Sequence, residues 1–207
     1  MSDVYGINIT PMVTVSTSQK RSYHHGDLHA AAIAAGLDLL RSRTADDLGL
    51  REVARAVGVS ATALYRHFPD KGALLVALAR EGIRLLGVAQ RAASEAAGGG
   101  APGFNATGSA YVRFALANPA LFRLIFANPM PIDLKAKGPD DPAPDDAMAM
   151  LQANAAALAP AGTDPRIFAL QSWSIAHGLA MLILDRQVTL DDATIDAVID
   201  SHVAGKR

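Results

Sequence analysis

The stretch from Leu50 to Lys71, LREVARAVGVSATALYRHFPDK, constrains this chain more than any other. It holds two short helical patterns back to back. The first runs from Leu50 to Val57, and Gly58 follows as the residue suited to a left-handed helix end. Ser60 is placed to cap the second, Ala61 to Phe68, and Pro69 stops it. Val53, Val57, Val59, Leu64 and Phe68 supply the apolar positions, and Ala54 is small where two helices must approach closely. That spacing predicts a helix-turn-helix, two short helices crossing steeply with the second offered to a DNA major groove. Its outward face would carry Ala61, Thr62, Tyr65, Arg66 and His67, a surface of hydrogen-bonding tips with no bulky core residue.

The rest of the chain also reads as helical, with no strand alternation and no internal repeat. Asp27 can cap a helix with apolar positions from Leu28 to Leu40, its last turn closed by Arg41 and Arg43. Asp70 caps a long helix from about Lys71 to Ala97. Gly98 to Gly103, GGGAPG, reads as a flexible breaker. Ala106–Asn118 follows, then a helix opened by Pro119 and ending at Ala127. Residues 128–144 read as a long, mobile Pro/Asp loop. Asp145 or Asp146 caps Ala147–Leu158, Asp164-Pro165 opens a helix to Arg186, and Asp191 or Asp192 starts the last one, to Val203. The fold class is all-α, with about nine helices. A flexible arm (1–22) precedes a three-helix DNA-binding domain (23–70) and a helical bundle (71–207).

Composition narrows the function classes. Half of the 207 residues are apolar and 19% are charged, as in a globular protein. Without cysteine there is no disulfide frame, cysteine nucleophile or thiolate metal site. No apolar run is long enough to suggest a membrane span, and no secretory signal is visible, so a cytoplasmic location is expected. The net charge of −1 conceals an uneven split. Residues 1–80 hold nine Lys/Arg against seven Asp/Glu, with His24, His25, His29 and His67 besides. Residues 81–207 hold ten against thirteen. A local basic face is compatible with that balance. His25 and His29 share a helical spacing, but no metal-ligand or HExxH pattern accompanies them, so no metal or other cofactor is expected. No nucleophile–base pairing is visible either, so an enzyme is not expected.

Four runs carry a family resemblance: YHHGDL at 23–28, LREVAR at 50–55, GVS at 58–60 and LYRHFPDK at 64–71. Together they resemble the DNA-binding domain of TetR-family transcriptional regulators. WSIAHG at 173–178 resembles the tryptophan–histidine–glycine signature of one C-terminal subgroup of that family. Carried over by position, the resemblance implies that Tyr65 and His67 face DNA and that Lys71 binds phosphate. It also implies that Ala61 and Thr62 lead the recognition helix where base identity is read. Arg51, at the start of its helix, is a plausible phosphate contact, and Arg66 is a further candidate. Lys20, Arg21, His24 and His25 precede the first helix and could reach backbone or minor groove. The chain departs from the family pattern at Thr44, where the first helix usually ends in Gly. It departs again at Gly49, where Ser or Thr usually caps the second helix; Glu52 keeps the far half of a capping box.

The resemblance further implies a homodimer joined through the last two helices and a C-terminal pocket for a small hydrophobic effector. A charge placed at Ala180 or Leu184 would test that interface. Trp173 and His177 are four apart and share a helix face. Tyr111, Phe114, Phe122, Phe126, Met148 and Leu151 are further pocket candidates, although such residues at helical spacing belong to the core first. The expected function is a repressor that grips a pseudo-palindromic double-stranded DNA operator and lets go when its effector binds. A dimer reads two half-sites roughly 34 Å apart or a multiple of that. A non-sequence-specific DNA-binding protein would be strongly basic, which this chain is not, and a helical enzyme is the remaining alternative.

Overall fold

The computed structural model describes residues 28–127 and 147–204. The expected arm, with Lys20, Arg21, His24, His25 and the Asp27 cap, lies outside the described residues. So do the loop expected at 128–144 and the two aspartates after it. Nine helices make up the described residues, with no strand among them. They are α1 (Leu28–Leu39), α2 (Leu50–Val57), α3 (Ala61–Tyr65), α4 (Lys71–Ala96), α5 (Gly100–Ala117), α6 (Pro119–Ala127), α7 (Ala147–Leu158), α8 (Pro165–Leu184) and α9 (Asp192–Ala204).

The helix ends follow local chemistry. The Ser60 hydroxyl accepts from Ala63 N, Asp70 from Ala73 N, Asp164 from Arg166 N and Asp191 from Thr194 N. Each such cap contributes about 1 kcal/mol by satisfying an otherwise orphaned amide. Gly49 caps α2 through extended backbone alone. Gly58 closes α2 in the left-handed region at φ 81°. Its amide reaches the Arg55 carbonyl while Val59 N reaches Ala54 O, the paired bonds of a Schellman end.

Four boundaries differ from the sequence reading. α1 stops at Leu39, so Arg41 and Arg43 lie beyond it; Arg43 instead pairs with Glu52 at the start of α2. α3 is helical only to Tyr65, and Phe68 tucks inward through a turn that ends at Pro69. The glycine breaker is shorter than expected, because α5 begins at Gly100. Gly98, Gly99 and Gly100 all hold positive φ and make the turn alone, while Pro102 sits in the first helical turn, where its missing amide costs nothing. α8 ends at Leu184, short of Arg186.

Three apolar clusters organise the packing. The first gathers α1, α2, α3 and the N-terminal half of α4 around Val53, Leu64, Phe68, Leu74 and Leu78, and adds Leu121, Leu124 and Ile125 from α6. The second joins α4, α5, α6, α8 and α9 around Tyr111, Val112, Phe122, Leu179, Ala180 and Ile195. The third is small and packs Phe104 on Phe168 with Ala155 and Ala169. α4, about 39 Å long at 1.5 Å per residue, enters both large cores. α6 does so too, because its nine residues turn Leu121, Leu124 and Ile125 one way and Phe122 the other.

Candidate DNA-binding surface and effector site

The helix-turn-helix is built from a few inward side chains. Val53, Ala54 and Leu64 are fully buried or nearly so and lock α2 against α3. With Leu64 pointing in, the other side of α3 is open. Thr62, Tyr65, Arg66 and His67 are exposed, and Ala61 is half-buried. Tyr65 stands out because 46% of a large ring meets solvent on a helix that has an apolar core available. Arg51 is exposed in the first turn of α2. His29 on α1 stacks on Phe68, ring centroids 4.8 Å apart, and lies 6.4 Å from the His67 ring, so it packs as part of the domain wall.

Lys71, expected on phosphate, is half-buried at the start of α4. Its Nζ donates to the Asp46 carbonyl at 2.6 Å and pins that helix to the segment between α1 and α2. In the same segment the Thr44 hydroxyl donates to Asp47 Oδ2 at 2.7 Å, which with the nearby Arg43 and Lys71 charges holds the Asp47 carboxyl below its usual range. The position where the family usually carries Gly is therefore a hydrogen-bonded turn built by a threonine.

Of the eight pocket candidates, the structure brings five together. Tyr111 from α5, Phe122 and Phe126 from α6, and Trp173 and His177 from α8 form one aromatic cluster. Phe114 sits at its edge, touching both large cores. Leu151 does not join it and packs in the third cluster. Met148, half-buried on α7, belongs to none of the three.

A polar relay threads the aromatic cluster. Trp173 Nε1–H donates to the Tyr111 hydroxyl at 3.1 Å, and that oxygen lies 2.8 Å from His177 Nδ1. Tyr111 is buried, and His177 Nδ1 is the one atom hydrogen-bonded to its hydroxyl, among the described residues, that can accept its O–H. The hydroxyl therefore donates to Nδ1, since the opposite assignment would strand a buried O–H at a cost of about 1–3 kcal/mol. Nδ1 is then the acceptor and the ring proton sits on Nε2. Burial pushes the His177 imidazolium toward losing its proton and pushes the Tyr111 phenol well above its ordinary range, so both stay neutral. Phe126, Trp173 and His177 are partly exposed while Phe122 and Tyr111 are buried, which gives the cluster one open side.

Two features escaped the sequence reading. Arg113 donates from Nη2 to both carboxylate oxygens of Asp196 at 2.9 Å and fastens α9 to α5 beside an open groove of about 830 Å³ that has no aromatic wall. The outward face of α8 is the other. Ala180 is completely buried in its own chain and so is not free for a partner, whereas Leu184 is half-buried against the second core. Ile167, Leu170 and Leu182 are instead 51%, 40% and 46% exposed. A Cβ added at Gly178, on the same helix, would meet nothing. The helical period 167, 170, 174, 178, 182 was the available signal. α8 is the single described helix long and apolar enough to cross a membrane, and here it lies along α5 and α7 with one stripe uncovered.

An exposed polar recognition helix, held by a compact three-helix core and followed by a larger helical domain, defines a helix-turn-helix regulator. Comparison with known proteins narrows that class. Residues 32–78 match the family model for bacterial regulatory proteins of the tetR family, and residues 104–205 match the tetracyclin repressor-like C-terminal domain. A structure of a protein of unknown function from Rhodococcus sp. RHA1 is 31% identical, covers 90% of this chain and 99% of its own, and superposes with a TM-score of 0.70. A TetR family transcription regulator from Marinobacter aquaeolei VT8 shares the fold at 16% identity and a TM-score of 0.61, covering 84% of this chain and 95% of its own. So does a variant TetR from Acinetobacter baumannii AYE in complex with minocycline, at 22% identity and a TM-score of 0.56, covering 86% and 94%. No curated protein matches in sequence. The chain belongs to the TetR family of DNA-binding transcriptional regulators.

Proposed function

We propose that this regulator is a homodimeric repressor whose grip on a pseudo-palindromic operator is released by a small hydrophobic effector in the aromatic cluster. Within it Ala61, Thr62, Tyr65, Arg66 and His67 read DNA, and Arg51 and Lys71 hold phosphate. Lys71 does so by leaving the Asp46 carbonyl. Lys20, Arg21, His24 and His25 extend the contact to the backbone or minor groove. The uncovered stripe Ile167, Leu170 and Leu182 on α8, with α9 beside it, packs on its copy in a second subunit. Such a protein works in the cytoplasm, where its operator is.

The observation that carries the effector half of this reading is the double membership of α6. Phe122 lies in the effector cluster, Leu121 and Ile125 lie in the core of the DNA-binding domain, and only one turn of helix separates them. The link to α4 is tight: a Cβ at Gly82 would meet the Leu121 and Ile125 methyls at 2.9 Å. A ligand that displaces Phe122 and Phe126 must therefore shift α6 against α4, and through α4 the recognition helix. Two packed cores that share one short helix respond by switching between arrangements rather than by smooth deformation. A coupling of about 1–3 kcal/mol would change operator affinity 5- to 150-fold, and DNA would weaken effector binding by the same factor. The complex of an A. baumannii TetR with minocycline supports a ligand site in this architecture.

The test is a titration of the purified protein against the inverted repeat nearest its own gene, a scrambled copy and bulk DNA. The repressor reading expects the repeat to bind at least about 1000-fold more tightly than the other two. Equal affinity for all three would establish the non-specific binder instead.

A further inference from the structure

Taking the aromatic cluster as the effector site, we propose that its ligand is an uncharged molecule with a flat apolar body and one hydrogen-bond acceptor, such as a ketone, ester or ether oxygen. The proposal rests on which polar atoms the cluster has left to offer. It contains four. Trp173 Nε1–H is spent on the Tyr111 oxygen, the Tyr111 O–H is spent on His177 Nδ1, and Nδ1 is spent in accepting it. The remaining atom is His177 Nε2–H, a donor with no hydrogen-bond partner among the described residues. The site therefore presents one neutral donor set in a ring wall, with Phe126 edge-on to His177 at 4.7 Å and Phe122 at 5.6 Å.

Charge makes the choice sharper. The shifts at His177 and Tyr111 arise from burial and, for Tyr111, from the Trp173 hydrogen bond; no charged neighbour contributes to either. A carboxylate would find one neutral N–H to receive it and, among the described residues, no cation acting on either ring to balance it. An ammonium would find aromatic faces but no free acceptor, and would meet the positive edge of the His177 N–H. A pure hydrocarbon would cover that N–H and leave it without a partner. A neutral acceptor satisfies every group present. Tyr111 is the positioning residue: by donating to Nδ1 it fixes the tautomer that faces the ligand.

The experiment is calorimetric titration of the full-length protein with four naphthalenes of matched size: acetonaphthone, ethylnaphthalene, naphthoate and naphthylmethylammonium. The ketone should bind about tenfold more tightly than the hydrocarbon, and both ions more weakly than either. His177→Phe should keep affinity for the hydrocarbon and erase the ketone's advantage. Should that variant fail to fold, Tyr111→Phe, which frees the tautomer, should narrow the same gap. Nitrogen-15 NMR of the wild type should show His177 neutral with its proton on Nε2, and that proton should shift on adding the ketone. Equal binding of ketone and hydrocarbon, tighter binding of either ion, or a proton on Nδ1 would overturn the ligand class and leave the site standing. Failure of all four compounds to bind would remove the site itself.

Discussion

The recognition helix and the aromatic cluster solve opposite problems. On α3 a single residue, Leu64, is buried, and Thr62 and Tyr65, with Arg66 and His67 in the turn that follows, are exposed to solvent. Its geometry is fixed by bonds a few residues long: the Schellman end at Gly58 and the cap at Ser60. The cluster draws Tyr111 and His177 together across 66 positions of chain and spends nearly all its polar atoms internally. A surface that awaits a large polar partner keeps its hydrogen-bonding groups unspent on a rigid base. A site for a small apolar molecule leaves one donor and buries the rest. Substitutions should therefore act differently in the two places: on α3 they cost binding and spare stability, and in the cluster they cost stability directly.

The largest expected effect would show whether either region works without a second subunit. Ile167→Glu with Leu182→Glu puts two charges on the uncovered stripe of α8 without touching either large core. Sedimentation should show a monomer, and operator affinity should fall at least about 100-fold as the two half-sites cease to be held together. A persistent dimer would move the interface elsewhere. Next in size is Tyr65→Ala, with an expected loss of about tenfold in operator affinity and an unchanged melting temperature. A fall in melting temperature with unaltered binding would reverse the contrast and make Tyr65 a structural residue.

Tyr111→Phe sharpens the other side of the comparison. It leaves Trp173 N–H and His177 Nδ1 without their shared partner, and removes no volume that the core needs. Denaturant unfolding should show a loss of about 1–3 kcal/mol, with operator affinity of the folded dimer nearly unchanged. A neutral result would mean that water replaces the hydroxyl and that the relay adds no stability.

The same contrast decides what the sequence could reveal. The DNA-binding surface was legible because its determinants are contiguous. Gly58, Ser60, Pro69 and Asp70 each announce a helix end, and the inward apolar residues Val53, Leu64 and Phe68 leave the outward face by subtraction. The cluster was legible only in part. Trp173 and His177 share a face at an i,i+4 spacing, but nothing local says that Tyr111 on another helix joins them. Nothing local separates Leu151, which packs on Phe104 and Phe168, from Phe122, which does not. Ala180 failed as an interface residue for a similar reason. An apolar helix covered on two sides shows no polar stripe to tell its own core face from a partner's. The glycine turn misled because Pro102 reads as a breaker, although a first helical turn accepts proline readily.

The smallest effect tests the neutral state of His177. Burial lowers its affinity for a proton in the folded chain, whereas in the unfolded chain it titrates near 6.5. The groups facing it are Tyr111 from α5, Phe122 and Phe126 from α6, and Trp173 on its own helix, and none supplies a compensating charge. Above pH 6.5 both states hold neutral histidine and the residue leaves stability flat. As pH falls below 6.5 the unfolded chain takes up a proton that the folded chain refuses, so stability drops until the folded pKa is reached, by an amount that solvent at the partly exposed ring reduces. The carboxylates whose pKa values are lowered, Asp47, Asp164, Asp191 and Asp196, lose their contribution only in the more acidic range below their usual 3.8. Denaturant melts between pH 5 and 7 should therefore show a decline that His177→Phe removes. If the decline persists in that variant, the titrating group lies elsewhere and the cluster holds its histidine without cost.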